Sequence, residues 1–282
     1  MSTLREKRKK ERRALRRRKT ADWTVVLILC AIAVCCGGYL IYHHWSVKQR
    51  ELEYEKLRQE ETLSAATETV IAEPETEEST EETVIYCDPV YDFGQLHEQN
   101  EDIYAWIVVP GTQVDYPLLQ SGTDNYYLDY NLDHSKGYPG CIYTNQCNRK
   151  DFSDYNTVLY GHNMKNGSMF GSIHSFEDET FFDGHPYIYV YTENERLTYE
   201  IYEAAKFTDV YIPSGYVISS KDDRDQFLAD VREKVSDNKL HVREDMQIGE
   251  EDRLITLSTC VSGERSHRYL VIGVLVETAV YR

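Results

Sequence analysis

The residues able to do covalent chemistry sit at two strand-like ends of the chain. The run LITLSTC carries alternating apolar residues up to Cys260, and the polar turn VSGERSH follows it. A cysteine so placed reads either as a small buried hydrophobe or as a thiolate nucleophile for a carbonyl carbon. Arg265 and Arg268 follow within eight residues, Arg268 at the head of the next apolar run, RYLVIGVL. A turn between the runs returns an arginine to the sulfur, where a permanent cation favours thiolate and can stabilise an oxyanion. The alternative is a solvated arginine at a strand end. The proton carrier has to come from elsewhere. In NTVLYGHNMKNGSMFGSI, His162 follows Tyr160 and Gly161 and precedes a glycine-containing loop. His97, His134, His174, His185, His241 and His267 compete with it, but His162 alone combines a strand end, a flanking glycine and a loop that could admit substrate. There is no CxxC pair and no HExxH sequence, so the expected chemistry uses neither metal nor cofactor.

These ends need a rigid frame, and the sequence supplies one late in the chain. Short β-rich runs separated by turns extend from DIYAWIVVPG to RYLVIGVLVETAVY, with Tyr187, Tyr189, Tyr191 and Tyr199 among the residues in period-two alternation. ENE within YIYVYTENERLTYEIY marks a hairpin turn. Phe227, Leu228, Val231 and Val235 share a face of a helix predicted over 222–235, and DPVYDFGQLHEQN predicts a shorter one. The expected architecture is mainly β: a mostly antiparallel barrel or sandwich with a few helices.

Charge divides the chain ahead of that frame. Eleven of the 31 Lys and Arg residues precede Thr20, whereas from His43 onward 20 basic residues face 45 acidic ones. So anionic a body is repelled by a phosphate backbone, which argues against a nucleic-acid partner. Between the halves, Thr24 to Tyr42 carries no charge and is flanked by Trp23 and Trp45. That length spans a bilayer core, and the aromatic residues suit its interfaces. It is long for a signal peptide and lacks a small-x-small cleavage site. The reading is a basic cytoplasmic tail over 1–22, a single transmembrane anchor over 23–42, a solvated helical stalk over 43–66, an acidic disordered spacer over 67–84 and a catalytic domain over 85–282 outside the cell membrane. Cys87, Cys141 and Cys147 add no dense disulfide framework; Cys141 with Cys147 could close a short loop, but the fold is read as independent of bridges.

TLSTC at 256–260 with Arg268 at the next strand head, taken with YGHNMKNGSMFGSI at 160–173, resembles the class B sortase family over residues 91–282. The resemblance implies an eight-stranded β-barrel with N-terminal helices and one long inserted helix, matched to the 222–235 segment. It implies cell-wall transpeptidation in a Gram-positive bacterium: Cys260 as nucleophile, His162 as acid and base, and Arg268 as substrate or oxyanion partner. Ser258, Thr259, Tyr160 and Leu128 are the implied substrate-facing positions. The implied partners are secreted proteins with a C-terminal sorting motif and an amine of peptidoglycan precursor or of a pilin. Val261 departs from a carboxylate after the nucleophile, and Arg265 stays a rival to Arg268. A membrane-anchored thiol hydrolase and a non-enzymatic surface scaffold are the competing functions.

Overall fold

The computed structural model describes residues 2–64, 85–234 and 240–282, which fall into two compact units, Met1–Leu52 and Glu53–Arg282. The acidic spacer and Val235 lie outside the described residues. The first unit is the greater part of one helix, Ser2–Ser64. Within that helix, Val25–Gln59 is long and apolar enough to cross a bilayer, with mean hydropathy reaching 2.5. Leu27, Ile28, Leu29 and Ile32 are exposed, as lipid-facing side chains are.

The second unit is built on β1 (Ile85–Cys87), β2 (Ile103–Val108), β3 (Asp115–Leu119), β4 (Ile142–Thr144), β5 (Asn156–Tyr160), β6 (Tyr187–Tyr191), β7 (Glu195–Thr208), β8 (His241–Val242), β9 (Leu254–Val261) and β10 (Glu264–Tyr281). The order β10-β9-β5-β4-β3-β2-β6-β7 is closed by pairing of β7 with β10, giving an eight-stranded barrel. The edges of the open strands are thereby removed. β1 and β8 extend the sheet outside the ring, against β10 and β7. Parallel pairs join β3 to β4 and β5 to β9, and the other neighbours within the ring are antiparallel.

Two apolar clusters flank the barrel wall. Trp106, Leu118, Leu159, Tyr199, Ile255, Leu257 and Val271 belong to one cluster. Val158, Phe207, Leu254, Leu270 and Ile272 meet Phe227, Leu228 and Val231 of the Lys221–Lys234 helix in the other. β9 thus contributes Leu254 to one cluster and Ile255 and Leu257 to the other. Burial on both faces explains why Leu254, Ile255 and Leu257 are all apolar, and the buried Thr256 between them donates to Asn156 Oδ1 at 2.8 Å. Each fully buried aromatic or aliphatic side chain of this kind contributes about 1.5–3 kcal/mol. The 222–235 expectation is met by the Lys221–Lys234 helix. The shorter predicted helix is Phe93–Gln99, capped by Asp92, whose Oδ1 accepts from the Gln95 N–H at 3.2 Å.

The stalk differs from its reading as a solvated helix. Tyr54 and Leu57 are buried. The Tyr54 hydroxyl donates to the Gly140 carbonyl at 3.1 Å, and its ring meets Tyr116 edge-on at 5.2 Å. Arg58 Nε donates to the Asp115 carbonyl at 2.8 Å, with the guanidinium 4.7 Å above Tyr116. An apolar pair spaced i,i+3 among many charges was enough to dock the helix end.

Glu203 on β7 is fully buried, with Arg232 Nε 3.4 Å from one carboxylate oxygen and no hydrogen-bond partner on Oε1 among the described residues. Burial pushes its carboxyl up to about 7, against the pull of Arg232. A folded-state value above the unfolded one means the protonated form stabilises the fold. That contribution is full below about 4.5 and is lost as pH rises through 7. Glu203→Gln is therefore expected to be more stable than the parent at pH 8, by up to about 3 kcal/mol, and to lose the advantage near pH 4.5. Denaturant titrations of both proteins at the two pH values measure it; an advantage independent of pH would refute the assignment.

Candidate active site

β9 carries the cysteine between two neighbours. On one side β5 runs parallel, with Tyr160 in register with Ser258. On the other β10 runs antiparallel, with Arg268 directly opposite Cys260. Cross-strand partners lie about 5 Å apart at Cα, so the strand register alone places the guanidinium-bearing residue beside the thiol-bearing one. Arg268 lines the cleft around Cys260, whereas Arg265 is exposed and absent from its lining. Arg268 Nη1 donates to the His267 carbonyl at 2.9 Å and to the Arg265 carbonyl at 3.3 Å.

His162 follows β5 by two residues. The Gly161 N–H donates to the Ser258 carbonyl at 3.3 Å, and Thr259 Oγ1 donates back to the Gly161 carbonyl at 2.8 Å. Gly161 is required here by space: a Cβ would lie 2.8 Å from the Phe170 ring and 3.1 Å from Ile142. Gly161→Ala is expected to overpack this site and destabilise the domain by about 1–3 kcal/mol, read as a lowered melting temperature. An unchanged melting temperature would mean the Phe170 ring yields freely.

The imidazole of His162 has a defined orientation. Its Nε2 donates to the Leu128 carbonyl at 2.7 Å, and the Tyr138 ring packs 4.9 Å away. With Nε2 carrying the hydrogen, Nδ1 is the nitrogen left to exchange protons in the neutral ring. Leu128 therefore acts at least twice, by its backbone on His162 and by its side chain in the cleft wall.

Cys260, His162, Arg268, Ser258, Thr259, Tyr160 and Leu128 all line one cleft of about 290 Å³. The sequence reading brought these seven together but missed Asn125, Tyr143, Asp209, Val210 and Tyr211, which also line it. Tyr160 packs near Tyr143 and Tyr211, at 5.6 and 6.1 Å between ring centres. Burial pushes the Tyr160 hydroxyl well above its ordinary range and that of Tyr211 up to about 12. These phenols remain protonated donors near neutral pH. Tyr143 arrives on β4 and the other missed residues on connecting segments whose convergence no local pattern encodes; only Asn125, three residues before Leu128 in DNYYL, had a neighbour to signal it. Among the described residues no cysteine is in a disulfide, Cys141 and Cys147 included.

A second cleft, about 480 Å³, opens beside the first. His162 and Cys260 line the first, while their chain neighbours Asn163 and Val261 line the second, with His174, Glu177 and Ser262.

The arrangement can support acyl transfer: a thiol, an oriented imidazole and a fixed cation at one cleft. Comparison with known proteins gives the same direction. A family model described as a sortase domain matches residues 107–276. Sortase B of Listeria monocytogenes is 34% identical over 168 residues, covering 58% of this chain and 65% of that protein, so the match spans just under two thirds of the relative. Sortase B of Staphylococcus aureus is 26% identical over 261 residues, covering 91% of this chain and 97% of that one. Among solved structures, a Staphylococcus aureus sortase B–substrate complex superposes with a TM-score of 0.63, with 25% identity over 82% of this chain and 97% of that chain. A Streptococcus pyogenes class B sortase involved in pilus biogenesis superposes at 0.56, with 26% identity over 65% of this chain and 97% of its own.

Proposed function

Because the chain belongs to the sortase family, we propose that it is a membrane-anchored cysteine transpeptidase that joins secreted proteins to an amine at the cell surface. The observation that carries this reading is the placement of Cys260 directly opposite Arg268 in the β9–β10 ladder, with His162 on the same cleft.

In the first half-reaction the Cys260 thiolate attacks the carbonyl carbon of the threonine in a C-terminal sorting motif. The tetrahedral oxyanion faces the Arg268 guanidinium, and a preorganised donor of this type is worth about 3 kcal/mol. Collapse breaks the peptide bond and leaves a thioester, while His162 gives a proton to the departing amine. In the second half-reaction His162 takes a proton from the incoming amine, whose nitrogen attacks the thioester carbon and expels the Cys260 thiolate. One group serving as acid and then base is required by a two-step exchange. Ser258, Thr259, Tyr160 and Leu128 are the positions offered to the sorting motif; the Thr259 hydroxyl is engaged with Gly161, so its contribution is to the wall rather than to a free donor. The second cleft gives the amine a route that the acyl chain does not occupy.

The eleven basic residues before Thr20 support an N-terminus held in the cytoplasm and a catalytic domain outside. The amine belongs to a peptidoglycan precursor or a pilin subunit. The test is intact mass of the full chain in detergent, incubated with NPxTx-type peptides with and without triglycine, a diaminopimelate-containing peptide or a lysine-bearing pilin peptide. An acyl adduct on Cys260 that passes to one of these amines supports the reading and names the acceptor class. An adduct resolved by water alone makes the protein a thiol hydrolase, and an inert, slowly alkylated Cys260 makes it a surface scaffold.

A further inference from the structure

Two side chains outside the seven site residues reach the backbone of the nucleophile, and a third holds one of them. Asn163 Nδ2 donates to the Cys260 carbonyl at 2.8 Å, and His174 Nε2 lies 3.1 Å from the same oxygen. Glu177 Oε1 lies 2.8 Å from His174 Nδ1, and Asn163 Nδ2 lies 3.0 Å from His174 Nε2. We propose that Asn163 and the His174–Glu177 pair are positioning residues that clamp the Cys260 carbonyl and fix the thiol relative to His162.

The last backbone bond found between the two segments is Gly161 N–H to the Ser258 carbonyl, and the β9–β10 register shifts between Arg268 and Glu264. The nucleophile therefore stands where the β5–β9 ladder ends and where the β9–β10 ladder is interrupted, before Val261 pairs with Glu264. Side chains continue the tie, and Asn163 is chain-adjacent to His162, so its bond to the Cys260 carbonyl joins the proton carrier's segment to the nucleophile's. The Cys260 carbonyl keeps a donor with either form of the His174 ring, from both residues when Nε2 carries a hydrogen and from Asn163 alone when it does not. As imidazolium, Nδ1–H donates to Glu177 and Nε2–H to the Cys260 carbonyl, filling its second lone pair. As the neutral Nδ1–H tautomer, Nε2 accepts from Asn163, whose other hydrogen stays on the carbonyl. Glu177 closes the 3-10 helix Gly171–Glu177, held by buried Ile173 and Phe176, and the His174 ring stacks on Tyr269 at 4.9 Å. Tyr269 is itself opposite Thr259 on β9. The clamp is thus braced by the barrel rather than by a loose loop.

This inference rests on the transpeptidase reading for its kinetic test, so the experiment carries a substrate-independent arm. The full chain in detergent is compared with His174→Ala, His174→Gln and Asn163→Ala. With an NPxTx-type peptide, both alanine variants are expected to lower kcat about 10- to 30-fold with KM within about twofold, because a displaced thiol loses near-attack geometry without losing substrate contacts. Gln keeps a donor at the Nε2 position and is expected to return kcat to within about threefold of the parent. Alkylation of Cys260 by iodoacetamide, followed by intact mass, is expected to slow in both alanine variants and to recover in His174→Gln. Unchanged kcat and alkylation in both alanine variants would overturn the clamp, as would a Gln variant no better than Ala or a loss confined to KM. A parent that alkylates normally but forms no acyl adduct refutes the transpeptidase reading and leaves the alkylation comparison to decide the clamp.

Discussion

Cys260→Ala is expected to abolish acyl-enzyme formation, with no mass adduct from any sorting peptide and amide product lower by at least about 10⁴-fold, the scale on which removing a covalent nucleophile acts. No other thiol can take its place. Cys141 is buried, with the Tyr54 hydroxyl 3.4 Å from its sulfur. Burial pushes the Cys87 and Cys147 thiols up, which makes each a poorer source of thiolate. Cys147 is the informative control, since its sulfur lies 3.9 Å from the hydroxyl of Tyr211, a cleft residue. Cys147→Ala is expected to retain activity, showing that nearness to the cleft does not make a nucleophile. Full activity in Cys260→Ala would remove the mechanism altogether.

What could be read beforehand was whatever chemistry shares with a strand. The place of Cys260 was legible because LITLSTC keeps a strand pattern up to the residue, and that of Arg268 because the apolar run of the return strand starts after it, although β10 itself starts earlier, at Glu264. The parallel neighbour β5 put His162 on the same cleft, but nothing local announces that β5 and β9 pair; the choice of His162 rested on its glycine and its loop. His174 was passed over as an ordinary histidine because its meaning depends on the Cys260 carbonyl, 86 positions away in sequence. The Leu128 carbonyl escaped for a different reason: a backbone acceptor leaves no mark on residue type. The docking of Tyr54 and Leu57 was hidden by charges at helical spacing, which read as a solvated stalk although two apolar residues sufficed to bury one face. Local patterns thus reported the strands and the polar ends, while contacts between distant loops, made by atoms every residue carries, went unseen.

Arg268→Lys is the sharper test of how the cation works. Lysine keeps the charge and much of the reach, but it replaces a planar fork by a single ammonium. Arg268 already spends Nη1 on the carbonyls of His267 and Arg265, which aims the guanidinium from two points. A lysine that satisfied the same carbonyls would turn its one nitrogen away from the oxyanion; one that reached the oxyanion would give up the anchoring. Both Arg268→Lys and Arg268→Ala are therefore expected to lose about 10²- to 10³-fold in kcat, the scale of one oxyanion donor, with Arg265→Ala close to the parent. The division between constants decides the role. A fall in kcat at constant KM assigns Arg268 to the tetrahedral intermediate, since only an interaction made in the transition state changes the chemical step alone. A matching rise in KM assigns it to holding the sorting motif. Near-parental activity in Arg268→Lys would show that charge alone suffices, and loss in Arg265→Ala instead would transfer the role to the exposed rival across the bulge, against the register that sets Arg268 opposite the nucleophile.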